Sequence, residues 1–160
     1  FVASRLFLFN LYHQVNGFSG YCSLEKYFTR GEKEGRILLG LKDMYDLEEL
    51  DKHIKPQRDL QFNYLGIKTL YDRYLIKDSK SNPIELPQHM FMAIAMFLAQ
   101  REENRQEWAI KFYNMISTFK VMLATPTLSN ARTTRHQLSS CYIGSTPDNI
   151  EGIFDTYQEM

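Results

Sequence analysis

Residues 87–100 read Pro87-Gln88-His89-Met90-Phe91-Met92-Ala93-Ile94-Ala95-Met96-Phe97-Leu98-Ala99-Gln100. A proline suits the first position of a helix, where no N–H is needed and φ is already set. The run behind it is apolar on nearly every side, which predicts a central helix covered all round. Its methionines read as core rather than as a binding groove, since Met fills irregular gaps. Other elements must therefore pack around it, and the flanking sequence supplies them. Val2, Leu6, Phe9, Leu11, Tyr12 and Val15 recur at threes and fours, a helical period with Gly17 as its stop. Ser23 can cap a helix carrying Leu24, Tyr27 and Phe28, ended by Gly31 and Gly35. Asp46 followed by Glu49 fits a capping box with Asp in place of Ser/Thr, opening a short acidic helix through Ile54 that Pro56 stops. Phe62, Leu65, Leu70, Tyr71, Tyr74 and Leu75 mark a further amphipathic helix. Residues 76–86 are turn-rich and read as a small hairpin or a loop. Beyond the polar patch Arg101–Glu107, another helix is predicted from Trp108 to Phe119.

After Val121 the character changes. Ala124 to Arg135 has no apolar period and many hydroxyls, and reads as a long ordered loop. Gln137-Leu138-Ser139-Ser140-Cys141-Tyr142-Ile143 alternates like a strand. Thr146-Pro147-Asp148-Asn149 then opens a helix whose Ile150, Ile153, Phe154 and Tyr157 share one face. The expected fold is mainly α. An orthogonal helical domain over 1–120 precedes a segment, 121–160, holding loop, strand and helix.

Composition narrows the function. The 160 residues carry 19 Lys+Arg and 19 Asp+Glu, so no excess of positive charge suits a polyanion. Eleven Phe, ten Tyr and one Trp are far more apolar bulk than a disordered chain holds. Two cysteines exclude a disulfide-stapled scaffold. Arg5, Asn10 and His13 interrupt the first apolar run, which is too short and polar to span a bilayer and lacks a signal-peptide pattern. The expected location is the cytoplasm. Phe1-Val2 opens on an apolar run, and Met160 falls inside what reads as a helix. Both suggest a piece of a longer protein, with processing as the alternative.

Candidate chemistry concentrates in 125–148. His13, His53 and His89 lie too far apart for a metal-binding spacing and read as surface or satisfied buried residues. Asp46 to Asp51 reads as a solvated face, and Cys22 as a small buried or half-buried thiol. By contrast, Thr125, Thr127, Ser129, Thr133 and Thr134 offer hydroxyl donors, and Arg132 and Arg135 add positive charge. Such a set suits a phosphate or diphosphate. Equally, the hydroxyls could bond the local backbone. Cys141 follows two serines on the predicted strand, where it is either a positioned reactive thiol or an inert small hydrophobe.

Ser117-Thr118-Phe119-Lys120, Ala124-Thr125-Pro126-Thr127-Leu128-Ser129 and Gln137-Leu138-Ser139-Ser140-Cys141 together resemble the large (α) subunit of ribonucleotide reductase, most similar to its aerobic class I. The resemblance runs from the first helix through Arg58-Asp59 and the Met-rich run to the chain's end. It implies a ribonucleoside-diphosphate reductase that forms deoxyribonucleotides for DNA replication by thiyl-radical chemistry. It implies too that 121–160 opens a ten-stranded α/β barrel, truncated here. By position, Thr125 and Ser140 match residues that bind the substrate nucleotide. Cys141 matches one member of the redox cysteine pair, which gives a proton as the ribose 2′-hydroxyl leaves and ends as a disulfide. Asp148, Asn149 and Ile150 match the start of the specificity-effector site for a deoxynucleotide or ATP, though Asp148 also reads as a helix N-cap.

The resemblance implies no cofactor on this segment. The parent's implied partners are a second α copy, a radical-generating metal-bearing small (β) subunit, and thioredoxin or glutaredoxin as reductant. The second redox cysteine, the radical cysteine with its Asn and Glu, and the reloading cysteine pair are not in these residues, so the chain alone is expected to turn over nothing. Three alternatives stay open: a non-catalytic helical interaction module, an adenosylcobalamin-dependent relative, and another radical barrel enzyme sharing the motif.

Overall fold

The structure, a computed structural model, describes residues 1–159, and Met160 of the predicted last helix lies outside the described residues. Eight α-helices follow one another there: α1 (Val2–Asn16), α2 (Leu24–Lys33), α3 (Leu47–His53), α4 (Tyr64–Arg73), α5 (Pro87–Ala99), α6 (Arg105–Ser117), α7 (Thr125–Asn130) and α8 (Ile150–Glu159). Helix α5 is the axis of the body, as its sequence predicts. Met90, Met92, Ala93, Ile94, Ala95 and Met96 are all sealed from solvent. Burying each of the larger side chains contributes about 1.5–3 kcal/mol. Helix α6 packs most extensively against α5, α4 against α1, and α3 against both α2 and α6. Among the described residues no helix is long and apolar enough to cross a membrane.

Local chemistry sets the helix ends. Gly17 stops α1 in the left-handed conformation (φ 77°), its N–H donating to the His13 carbonyl. The Ser23 side chain accepts from Lys26 N, and Asp46 accepts from Glu49 N at 3.0 Å. Glu49 turns instead to Lys52 and His53, so the expected capping box is half formed. Helix α2 runs through Gly31, which serves a close approach: a Cβ there would lie 2.2 Å from Ile37 Cδ1. The acidic face of α3 is not wholly solvated either. Both Asp51 carboxylate oxygens accept from Leu24 N, at 3.0 and 3.2 Å, and so help to start α2. Residues 76–84 form a small hairpin with the single bridge Lys77–Pro83.

Two sequence expectations need correction. Thr125 to Asn130 is not loop but the short helix α7, which Pro126 helps to start and Leu128 anchors against the core. Hydroxyl-rich sequence hid it because one apolar residue gives no period. Gln137 to Ile143, carrying Ser140 and Cys141, is extended but is not a strand, because no neighbouring segment pairs with it among the described residues. An extended segment without a partner has no ladder to join. The start of a barrel is therefore not seen here.

Candidate functional site

The structure overturns the expectation that Arg132 is free to hold a phosphate. Its guanidinium is fully buried and holds the equally buried Glu85 through two bonds: Nε donates to one carboxylate oxygen at 3.0 Å and Nη2 to the other. Burial alone disfavours the charged guanidinium, but Glu85 more than offsets it and raises the Arg132 pKa. The Tyr27 hydroxyl and Ile76 N also donate to Glu85, each at 2.7 Å. The rest of the guanidinium caps backbone carbonyls, Leu128 O at 2.6 Å and Tyr74 O at 2.9 Å. One planar cation thus ties the end of α7 to the end of α4.

The remaining hydroxyls divide. Thr133 bonds its surroundings, donating to Asn130 O at 2.9 Å and accepting from Arg135 N at 3.2 Å. Beside it, Ser129, Asn130, Thr133, Thr134 and Arg135 line an open cleft of about 480 Å³ with Arg36 and Lys77. Thr125 lies at the other end of α7, exposed, its hydroxyl 3.3 Å from the Tyr74 hydroxyl. On its core side α7 roofs an apolar cavity of about 340 Å³ lined by Leu70, Tyr74, Phe91, Phe119, Leu123 and Leu128.

Ser140 and Cys141 are both exposed on the extended segment, Ser140 Oγ 3.6 Å from Cys141 Sγ. Among the described residues no hydrogen bond joins Thr125 to either of them. Asp148 is exposed, and Asn149 rather than Asp148 caps α8, its Oδ1 accepting from Gly152 N at 2.7 Å. Ile150, Ile153, Phe154 and Tyr157 share the exposed face of α8 that the sequence predicts.

Two further polar groups lie inside the body: Asp59, which the sequence does not reveal, and His89, which takes the buried one of its two expected settings. Asp59 accepts from Tyr12 (2.7 Å), Tyr21 (2.6 Å) and Gln88 Nε2 (2.7 Å), with no cation among these partners. Burial pushes its carboxyl up to about 6, although the three donors oppose the shift. Beside it, the His89 ring stacks on Tyr27, Nε2 donates to Cys22 O at 3.0 Å, and burial drives its pKa down to about 4. Burial likewise pushes the half-buried Cys22 thiol up, away from reactivity. Among the described residues no group of three or more His, Cys, Asp and Glu could hold a metal.

A helical body followed by a Thr-Pro-Thr turn of helix and an exposed Ser-Ser-Cys segment defines a class. Residues 60–136 match the family described as ribonucleotide reductase, all-alpha domain. Over all 160 residues the chain is 69% identical to the ribonucleoside-diphosphate reductase subunit alpha of Helicobacter pylori strain 26695. It is 41% identical to that of Chlamydia trachomatis serovar D and 34% identical to that of phage T4, each over 96% of its length. The chain belongs to the ribonucleotide reductase family, as part of its large (α) subunit. It spans 20% of the length of the Helicobacter pylori relative and 15% and 21% of the other two.

Proposed function

We propose that this chain supplies the helical domain (1–120) and the substrate-facing segment (121–160) of a class I ribonucleoside-diphosphate reductase α subunit. In this reading Thr125 and Ser140 hold the substrate nucleotide, and Cys141 is one of the two thiols that reduce it. The observation that carries it is an exposed Ser140–Cys141 pair in a chain that is, over all its 160 residues, 69% identical to part of a ribonucleoside-diphosphate reductase subunit alpha. Replacing the ribose C2′–OH by C2′–H takes two electrons and releases water. Two cysteine thiols supply both electrons and two protons on closing to a disulfide. Cys141 gives the proton that the departing hydroxyl takes, and thioredoxin or glutaredoxin then returns the disulfide to the dithiol. A second cysteine and the radical cysteine come from the rest of the subunit, so the 160 residues alone reduce nothing.

The extended 137–143 segment becomes the first barrel strand once neighbouring strands pair with it. Asp148, Asn149 and Ile150 begin the effector site for ATP or a deoxynucleotide, and the α8 face meets a second α copy. The parent works in the cytoplasm with a metal-bearing β subunit that generates the radical. Cys141→Ser in the full-length subunit tests the assignment. Thioredoxin-dependent turnover is expected to fall by at least about 10³-fold, the scale on which loss of an essential catalytic group acts, and turnover at the wild-type rate would overturn it.

A further inference from the structure

We propose that Tyr74, clamped by the Arg132–Glu85 pair, is the positioning residue that presents the Thr125 hydroxyl to the substrate nucleotide. The inference rests on the reading of Thr125 as a nucleotide-binding residue and adds the device that aims it.

Thr125 is exposed at the first turn of α7. A free threonine hydroxyl there would move among staggered rotamers or turn onto its own backbone. What it meets instead is the Tyr74 hydroxyl at 3.3 Å. Tyr74 is itself fixed at both ends of its residue. Its N–H closes α4 on Leu70 O at 2.9 Å, and its carbonyl accepts from Arg132 Nη2 at 2.9 Å. Its ring lies against the apolar cavity beneath α7.

The same guanidinium holds Leu128 O at 2.6 Å, three residues beyond Thr125 in α7. A single rigid, planar group therefore sets the spacing between the residue that carries the phenol and the helix that carries the threonine. Arg132 cannot drift, because Glu85 grips it through both oxygens while Tyr27 and Ile76 grip Glu85. The buried pair, far from being a phosphate ligand, is the base on which the hydroxyl is mounted.

The test is steady-state kinetics of the full-length α subunit with its β partner, reading KM for a ribonucleoside diphosphate separately from kcat. Tyr74→Phe keeps the ring and removes only the hydroxyl. It is expected to raise KM about 3–10-fold, the worth of one neutral hydrogen bond, with kcat within about twofold. Thr125→Val is expected to raise KM at least as much, and the double variant no further than Thr125→Val alone. Thr125→Ser, which keeps the hydroxyl, should restore a KM near wild type.

Arg132→Lys, which cannot make the forked contact, should raise KM as Tyr74→Phe does while also lowering the thermal midpoint. If Thr125→Val raises KM and Tyr74→Phe does not, the positioning role is overturned and the nucleotide reading of Thr125 survives. If neither moves KM, both fall. A Tyr74→Phe enzyme with reduced kcat and unchanged KM has merely lost folded sites, and that too overturns the proposal.

Discussion

Asp59 and His89 sit in one polar cluster inside an apolar body, and their titrations oppose each other. Asp59 holds its proton to about pH 6 in the folded state, whereas an unfolded Asp releases it near its ordinary value of 3.8. Its contribution to stability is therefore full below that value and is lost as pH rises to 6. His89 does the reverse. It stays neutral down to about pH 4 when folded, against an ordinary 6.5, so its contribution is lost as pH falls through that window. Shifts of this size amount to about 3 kcal/mol each and largely cancel between pH 4 and 6.5. Asp59→Asn removes one side of the balance. Urea unfolding of that variant should show stability rising by about 2–3 kcal/mol from pH 4 to 6.5, more steeply than wild type, and parallel profiles would contradict the opposition.

Little of this was legible in the sequence. Gln88 and His89 interrupt an apolar helix, and Glu85 stands between Ile84 and Leu86. Each was a sign of a buried polar partner. The partners are far along the chain, Tyr12 and Tyr21 for Asp59 and Arg132 for Glu85, and no local period connects them.

At the scale of elements, what could be read was what local chemistry decides. Pro87 starts α5, Ser23 and Asp46 cap their helices, and Gly17 ends α1 in each case as the sequence predicts. Helix α7 was missed because its six residues are held by Arg132 and Leu128, contacts with the body rather than a pattern of its own. The 137–143 segment has the sequence pattern of a strand, yet such a pattern describes a strand only when another strand lies beside it. Gly31 shows the opposite case, a residue read as a helix stop that the helix passes through because α2 and Ile37 must touch.

Gly31→Ala should therefore destabilise the chain. With contacts as close as 2.2 and 2.6 Å, overpacking against the sealed Ile37 falls in the upper part of the usual range, about 2–3 kcal/mol, and alanine's helix propensity returns about 1. A net loss of about 1–2 kcal/mol in chemical denaturation is expected, relieved in the Gly31→Ala/Ile37→Val double variant. An alanine variant as stable as wild type would show that Ile37 yields without cost.

Across the whole molecule the apolar surface is unevenly settled. No large apolar side chain of α5 itself is exposed, whereas Tyr142, Ile143, Ile150, Phe154 and Tyr157 are open to solvent, as are Val2, Leu6 and Phe9 on α1. Exposed apolar faces at both ends of the chain fit a segment that spans 20% of the length of its Helicobacter pylori relative. The candidate site has the same division. Thr125 is mounted on the finished body, while Ser140 and Cys141 wait on the unpaired segment.

The reading stands or falls on the sulfur of Cys141. Single turnover of the full-length subunit, prereduced and then freed of external reductant, with the thiols trapped by alkylation and identified by mass spectrometry, addresses it directly. The expected result is a disulfide from Cys141 to a downstream cysteine, formed in step with deoxynucleotide. Cys141 recovered as a free, alkylated thiol after deoxynucleotide has formed would contradict it.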